Sequence, residues 1–494
     1  YSRKLERISL ERSCSTIAPS VGGGVWVADF GMGAFSGPPA PRSNSDTRAR
    51  WHNDRMTTAR DPADRPVASP VPHLREVLGA AALASGPALA EGPDGALTQD
   101  EALQAAERWG LLPTGGAAGA GADSCAPTVV VLVDGLGLDQ LRERRGHAPA
   151  LRGLLAASEA AASAGSGPGP EAVTCRPSTT AAALTALGTG ALPGATGMVG
   201  YSVRNPLLPP ASAGGAPSSE DLISLISWEG RCPDPRAWQD VPTIFERLRL
   251  PDGSSAEAPL AITIGPARFA GSGLTEAGLR GAPHIGADAM EQRAGRAAEA
   301  LRRGVPLVYL YVGELDHAGH AHGWRSEKWL AQLERLDALV AELQRRVPRG
   351  TRIMLTADHG MVDTDDEHRL LITDSPGLMR DVVCVAGEPR FTHLYVGGRD
   401  DAERAERASA VAERWRAELG ERALWVGTRD EAGEHLGPLG ERARGVTGDV
   451  LVAAAGAWVV LDPRVHTDTV LGMPGVHGSF TGAETRIPLL ITRA

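Results

Sequence analysis

The distribution of apolar positions divides the chain into unlike stretches. Over residues 1–70, Gly, Pro, Ser, Arg and Asp alternate without sustained periodicity. No face can be buried there, and the stretch reads as disordered or as lying upstream of the natural start. Two segments with helical spacing follow, "HLREVLGAAALASG" and "TQDEALQAAERWGLL". The second opens on Thr98 with Glu101 three residues on, a capping box, and both helices are expected on the outside of the domain. Next come three uninterrupted apolar runs, "TVVVLVD", "LVYLYVGELD" and "RIMLTADHG". β-Branched runs of this kind suit strands buried on both faces of a parallel sheet. Because the helical segments "EQRAGRAAEALRRG" and "EKWLAQLERLDALVAELQRRV" lie between them, the alternation predicts an α/β doubly wound, mostly parallel sheet flanked by helices. From 365 to 470 the pattern changes to "DVVCVAG", "FTHLYVG" and "ALWVGT", read as a smaller α+β insertion, before "IPLLIT" returns to the main sheet. The α/β domain would then comprise residues 71–364 and 471–494.

The polar residues that end the three runs carry the chemistry. They are Asp134, Asp316 and the pair Asp358-His359, and sites in doubly wound sheets form beyond the carboxyl ends of the strands. An acidic residue after a strand is often only a helix cap. Caps need no histidine, however, and "ELDHAGHAHGW" crowds three of the chain's 13 histidines into one segment. Asp316 and His320 stand four apart, a spacing that lets both side chains face one point. His477 lies between glycines in "GMPGVHGSF", where backbone can approach a site closely. Carboxylate oxygens and imidazole nitrogens without thiolate suit zinc and tolerate manganese or iron. Two such ions roughly 4 Å apart can clamp the attacking and leaving oxygens of an in-line displacement. Ser178, Thr179 and Thr180 supply hydroxyls at the start of an Ala/Leu helix. That place suits a cap and a phosphate-facing nucleophile alike.

Composition narrows the partners. A formal net charge of −10 argues against a surface that tracks a long nucleic acid. The five scattered cysteines contain no CxxC pair, and no run reaches the roughly 18 apolar residues of a membrane span. With no secretory signal pattern at its start, the chain is expected to be cytoplasmic, and its charge leaves room for a small anionic substrate neutralised locally by metal.

Taken together, "LVDGLG", "RPSTTAAALTALGTGALPGATG", "GELDHAGHAHG", "TADHGM" and "GVHGSFTGAETRIPLL" resemble, in order, the motifs of the type I phosphodiesterase/nucleotide pyrophosphatase family of the alkaline phosphatase superfamily. The resemblance spans about residues 125 to 494. It implies an alkaline-phosphatase-like fold and two divalent ions, one held by Asp316, His320 and His477, the other by Asp134, Asp358 and His359. It further implies a bridging nucleophile, Thr180, counted back nine residues from Thr189-Gly190, with Thr179 as the neighbour one step out of register. Three departures stand out. Thr196-Gly197 replaces the usual His-Gly, Arg176 replaces a Phe, and Tyr201 stands where relatives carry an Asn that donates to a phosphate oxygen. Arg176 and Tyr201 are therefore candidate substrate-binding residues, and "GMVGY" with Trp228 could wall the second substituent of a diester. The activity the resemblance implies is a metal-dependent phosphodiesterase or nucleotide pyrophosphatase working through a phospho-threonine on a small phosphorylated substrate, with nucleotides among the candidates. Rival readings are a phosphomonoesterase, a sulfatase suggested superficially by "CRPST", and a metal-stabilised binding module without turnover.

Overall fold

The computed structural model describes residues 71–114, 125–165, 167–208 and 218–494. The expectation for residues 1–70 lies outside these described residues. Two larger sheets are built from β1 (Thr128–Val133), β2 (Glu171–Val173), β3 (Ala261–Gly265), β4 (His284–Gly286), β5 (Leu307–Val312), β6 (Arg352–Ala357), β7 (Val382–Glu388), β8 (Phe391–Val396), β9 (Ala423–Thr428), β10 (Val450–Ala454) and β11 (Arg486–Arg493). The helices that matter here are α1 (Leu74–Ala84), α2 (Gln99–Arg108), α3 (Thr180–Thr189), α4 (Met290–Arg302), α5 (Glu314–His322), α6 (Glu327–Arg346) and α7 (Asp401–Leu419).

The seven-stranded sheet has the order β2-β11-β6-β1-β5-β3-β4. From β6 to β4 all neighbours are parallel, whereas β11 runs antiparallel to β6 and pairs antiparallel with β2 at the edge. Every residue of β1 and β6 is buried, as continuous apolar strands covered by helices on both faces require. Their register decides the site. Val133 pairs with both Ala357 and Val312, so the three strands end level and the next residues, Asp134 and Asp358, emerge side by side.

α2 begins at Thr98 with the capping box in place. α1 departs from expectation, because it is buried almost throughout and packs on α2 and on the Thr180-bearing α3. The cause is its composition: after Arg75 and Glu76 in the first turn every residue is Val, Leu, Gly or Ala, which leaves the rest of the helix without a polar face for solvent.

The second sheet, β7-β8-β10-β9, is antiparallel throughout. One face packs on α7 through Val411, Trp415, Leu394 and Val452. The other face turns Phe391, Leu451 and Ala453 into the main core. The hairpin between β7 and β8 is tied to the C-terminal loop by Arg390, whose guanidinium grips both oxygens of Glu484 at 2.7 and 2.8 Å with both side chains fully buried. Losing one partner of such a pair strands a buried charge, a cost of about 3–5 kcal/mol. The four-stranded sheet is thereby fixed against the loop that carries His477.

Candidate active site

Six of the sequence-predicted residues converge beyond the carboxyl ends of the central strands, in two trios. Asp134, Asp358 and His359 form an inner trio and Asp316, His320 and His477 an outer one, with ligand-type atoms in each within 4.8 Å of one another. Asp134 and Asp358 follow the level ends of β1 and β6. The segment after β5 is helical, α5, and its turn spacing sets His320 Nε2 3.4 Å from Asp316 Oδ1. Gly135 permits the close approach of the two trios. Its φ of +74° is a left-handed conformation, a Cβ there would stand 2.9 Å from the Asp316 Cα, and its N–H donates to Asp358 Oδ1 at 3.2 Å. The trios meet through the imidazoles of His359 and His477, stacked with centroids 3.6 Å apart and planes at 16°.

Backbone carbonyls fix the histidine tautomers. A carbonyl can only accept, so Nδ1 donates in each ring: His359 to Gly360 at 3.0 Å, His320 to Gly475 at 2.8 Å and His477 to Ser178 at 2.9 Å. In each neutral ring Nε2 is then a bare lone pair. Those lone pairs face each other and the carboxylates: His320 and His477 Nε2 lie 3.2 Å apart, and His359 Nε2 is 3.4 Å from Asp134 Oδ1 and 3.4 Å from Asp358 Oδ2. Asp134 Oδ1, Asp316 Oδ1 and Asp358 Oδ2 are buried without a hydrogen-bond partner. Acceptors facing acceptors in a buried site repel unless a cation lies among them. The donor set fits divalent ions such as zinc.

The titration behaviour points the same way. Burial, then the charges of Asp358 and Asp316, push the Asp134 carboxyl well above its ordinary value. Burial also raises Asp358 against the opposing pull of His359. Burial and the neighbouring His359 and His320 push His477 well below the usual histidine range.

Thr180 is the first residue of α3, half-buried, and its Oγ1 lies 3.1 Å from His359 Nε2. Thr179, the N-cap, is buried and makes no capping bond, while the Ser178 hydroxyl donates to the Ser479 carbonyl at 2.6 Å. The plain capping reading of these three hydroxyls thus fails. The first-turn N–H groups of α3 stay available to an anionic oxygen beside Thr180.

Other candidates fall elsewhere. Arg176 is exposed, donates from Nη1 to His435 Nδ1 at 3.1 Å and lies over Phe480 at 5.2 Å. Tyr201 is held by its backbone, whose N–H donates to Glu388 Oε2 at 2.6 Å, and its side chain is hydrogen-bonded to Ser224. Trp228 does not wall the site: it is buried, edge-on to Trp238 at 5.6 Å and pressed on Gly273. His317 and His322 are exposed and belong to neither trio.

Two residues had no signal in the sequence. Tyr311, one residue from the end of β5, donates its buried hydroxyl to Asp134 Oδ2 at 2.5 Å, which leaves Oδ1 as the free oxygen. Glu388, at the end of β7, wedges a buried carboxylate between the Tyr201 N–H and Gly478, where a Cβ would stand 2.5 Å from the Glu388 Cγ. Burial holds its pKa well above the carboxylate range. A Tyr in an apolar strand and a Glu at a hairpin look like ordinary sheet residues until the fold is known.

Comparison with known proteins settles the family. The model of the type I phosphodiesterase/nucleotide pyrophosphatase family matches residues 128–479. The chain belongs to that family. Its members are metal-dependent hydrolases, and this chain is a hydrolase of phosphoric ester or pyrophosphate bonds. No curated protein sequence matches it. Among solved structures, phosphonoacetate hydrolase from Sinorhizobium meliloti 1021 in complex with phosphonoformate aligns with a TM-score of 0.53 at 18% identity, covering 74% of this chain and 89% of that one. Murine ectonucleotide pyrophosphatase/phosphodiesterase 5 aligns with a TM-score of 0.51 at 15% identity, over 74% and 87% respectively. At these identities the likeness shows the fold, an alkaline-phosphatase-like α/β sheet. Among the described residues no helix is long and apolar enough to cross a membrane.

Proposed function

We propose that this chain is a two-metal phosphodiesterase or nucleotide pyrophosphatase in which Thr180 attacks phosphorus and becomes transiently phosphorylated. The observation that carries the reading is the set of three buried, unpartnered carboxylate oxygens facing three Nε2 lone pairs, with the Thr180 hydroxyl at its edge. Asp134, Asp358 and His359 would hold one ion, and Asp316, His320 and His477 the other. Zinc is the expected ion, with manganese or iron able to replace it. Bound there, the ions would lower the pKa of the Thr180 hydroxyl and offset charge on the attacking and leaving oxygens.

The chain's own groups do the rest. Ser178 and Gly475 carbonyls hold His477 and His320 in the one tautomer that presents Nε2. The uncapped first turn of α3 offers N–H groups to a non-bridging phosphate oxygen. A diester is favoured over a monoester, because no lysine lies in the matched motifs to meet the extra charge of a monoester. In support, a threonine-to-alanine variant of murine ectonucleotide pyrophosphatase/phosphodiesterase 5, in complex with AMP, is inactive.

Acid-quenching the zinc-loaded protein during turnover of bis(4-nitrophenyl) phosphate, followed by peptide mapping, tests the proposal. The expected adduct is phosphate on Thr180. A label on Thr179, or turnover with no covalent adduct under rapid quench, would falsify it.

A further inference from the structure

Arg176 is held without a carboxylate, unlike three arginines of the second sheet and its flanks. Arg390 is paired with Glu484, Arg429 with Asp449 and Arg444 with Asp430, each with its carboxylate at 3.0 Å or closer. Arg176 pairs with no carboxylate among the described residues. Its guanidinium has instead a face on Phe480 and an edge on the acceptor nitrogen of His435. His435 makes that one side-chain hydrogen bond, and its other nitrogen is buried and unpartnered, so nothing competes for the ring. Burial and the adjacent guanidinium keep the His435 pKa low, and a neutral ring can accept. Behind these two groups stands a pile of rings: His435 on Phe480 at 4.6 Å, Trp425 edge-on to His435 at 4.7 Å, and Phe391 against Phe480 at 5.3 Å. Trp425 and Phe391 come from the four-stranded sheet. The cation is thus preorganised at an exposed position, with donors left over, in a chain whose net charge is −10.

Its location links it to the reaction. Arg176 lies four residues before Thr180, and Phe480 three after His477. The loop that carries Arg176 and Thr180 is bonded to the loop that carries His477 and Phe480, the Ser178 N–H donating to the Gly478 carbonyl at 3.2 Å and the Ser178 hydroxyl to the Ser479 carbonyl at 2.6 Å, so Arg176 and Phe480 stand together at the edge of the candidate site. Arg176 belongs to neither trio.

We infer that Arg176, steadied by His435 and Phe480, is a specificity subsite for a second anionic group, phosphate or carboxylate, carried by the substrate. The inference rests on the phosphoesterase reading for its reacting centre. It assigns the four-stranded sheet a function, to deliver the aromatic backing that aims the guanidinium. The substrate class it selects is anionic at both ends, such as a nucleoside triphosphate releasing pyrophosphate, or a phosphonate bearing a carboxylate.

The test compares kcat/KM of the metal-loaded wild type, Arg176→Gln and His435→Phe on three substrates. These are bis(4-nitrophenyl) phosphate, which has no second anion, adenosine triphosphate for the phosphate source, and phosphonoacetate for the carboxylate source. Arg176→Gln should lose about tenfold to hundredfold more on the preferred anionic substrate than on the diester. His435→Phe, which keeps a ring but removes the acceptor, should show part of the same selective loss. Whichever anionic substrate responds identifies the source. An equal loss on all three, or none on either anionic substrate, overturns the subsite. If the wild type turns over nothing, the phosphoesterase reading fails separately, and calorimetry with inorganic pyrophosphate and orthophosphate decides. Tighter binding of pyrophosphate that Arg176→Gln abolishes supports the subsite, and equal binding of both by wild type and variant refutes it.

Discussion

The inner and outer trios use the same atoms in different settings. Asp358 and His359 are fully buried and Asp134 is 4% exposed, whereas Asp316 and His320 are 18% and 27% exposed. The inner trio is anchored on adjacent strands of the central sheet, with Tyr311 on one of its carboxylates and Gly135 on the other. The outer trio draws two members from one turn of α5 and the third from a loop that the Arg390–Glu484 pair ties to the second sheet. Its integrity depends on how that sheet docks. On the proposed function, the difference would divide the labour between a tightly held ion at the inner trio, beside Thr180, and a more exchangeable one at the outer trio.

The largest expected effect concerns the nucleophile between them. Thr180→Ala should lower kcat by about a thousandfold or more while both ions stay bound, since only that hydroxyl can carry the phosphoryl group. Thr179→Ala, at a buried position without a capping bond, should change kcat less than tenfold. Steady-state kinetics alongside elemental analysis decide it. The reverse ranking would place the covalent step on the wrong residue and dissolve the distinction between the trios.

Next is the loss of one ligand from each side. Asp358→Ala should empty the inner site and lower the melting temperature in excess zinc, because a ligand at a thousandfold excess over its Kd stabilises by about 4 kcal/mol. His477→Ala should leave one ion bound, with a smaller thermal change. Chelator-driven release from the wild type should be biphasic, with the outer ion lost first. Release in one phase, or equal destabilisation by the two variants, would remove the asymmetry.

How much of this could be read before the fold was known follows the same division. The strand-end aspartates were visible because apolar runs buried on both faces have no other polar residue to hide them among. The Asp316 and His320 pair was visible through its four-residue spacing, although the helix that realises it was not, since "ELDHAGHAHG" has a weak apolar pattern. Helical period alone makes α1 look peripheral, because it does not register that no polar residue follows Glu76 in the helix. Strands β3 and β4 at the sheet edge were not marked at all. Tyr311 and Glu388 were invisible for a different reason. Each acts through a partner more than 170 residues away, Asp134 and the Tyr201 N–H, and no local pattern encodes such a contact.

Tyr311 gives a finer probe of the inner side. Its phenol occupies Asp134 Oδ2, so Tyr311→Phe should leave the ring packing intact while freeing that oxygen. The inner ion should then bind about 10–100-fold more weakly, as competition with a chromogenic chelator would measure, and the outer ion should be unaffected. A loss shared equally by both ions would mean that the tyrosine supports the fold and not one site.

The smallest effect, and the most direct contrast, lies in the pH response of the metal-free protein. Asp134 and Asp358 have folded-state pKa values raised above the ordinary 3.8. Their contribution to stability is fully present below that value and is lost as the pH rises through the raised values. His477 has a folded-state pKa depressed below 6.5, so its contribution is present above 6.5 and is lost as the pH falls. The two trios therefore oppose each other between roughly pH 4 and 7. Asp134→Asn should raise the melting temperature of the chelated protein at pH 7 by a few degrees and do little at pH 4. His477→Gln should help at pH 5 and do little at pH 8. Saturating zinc should abolish the gain from Asp134→Asn, since the cation then stabilises the ionised carboxylate that burial disfavours. If Asp134→Asn destabilises the chelated protein at pH 7, the buried carboxylate is satisfied by a partner other than an ion. The inner trio would then be a structural polar cluster, and only the outer one would retain its case for metal.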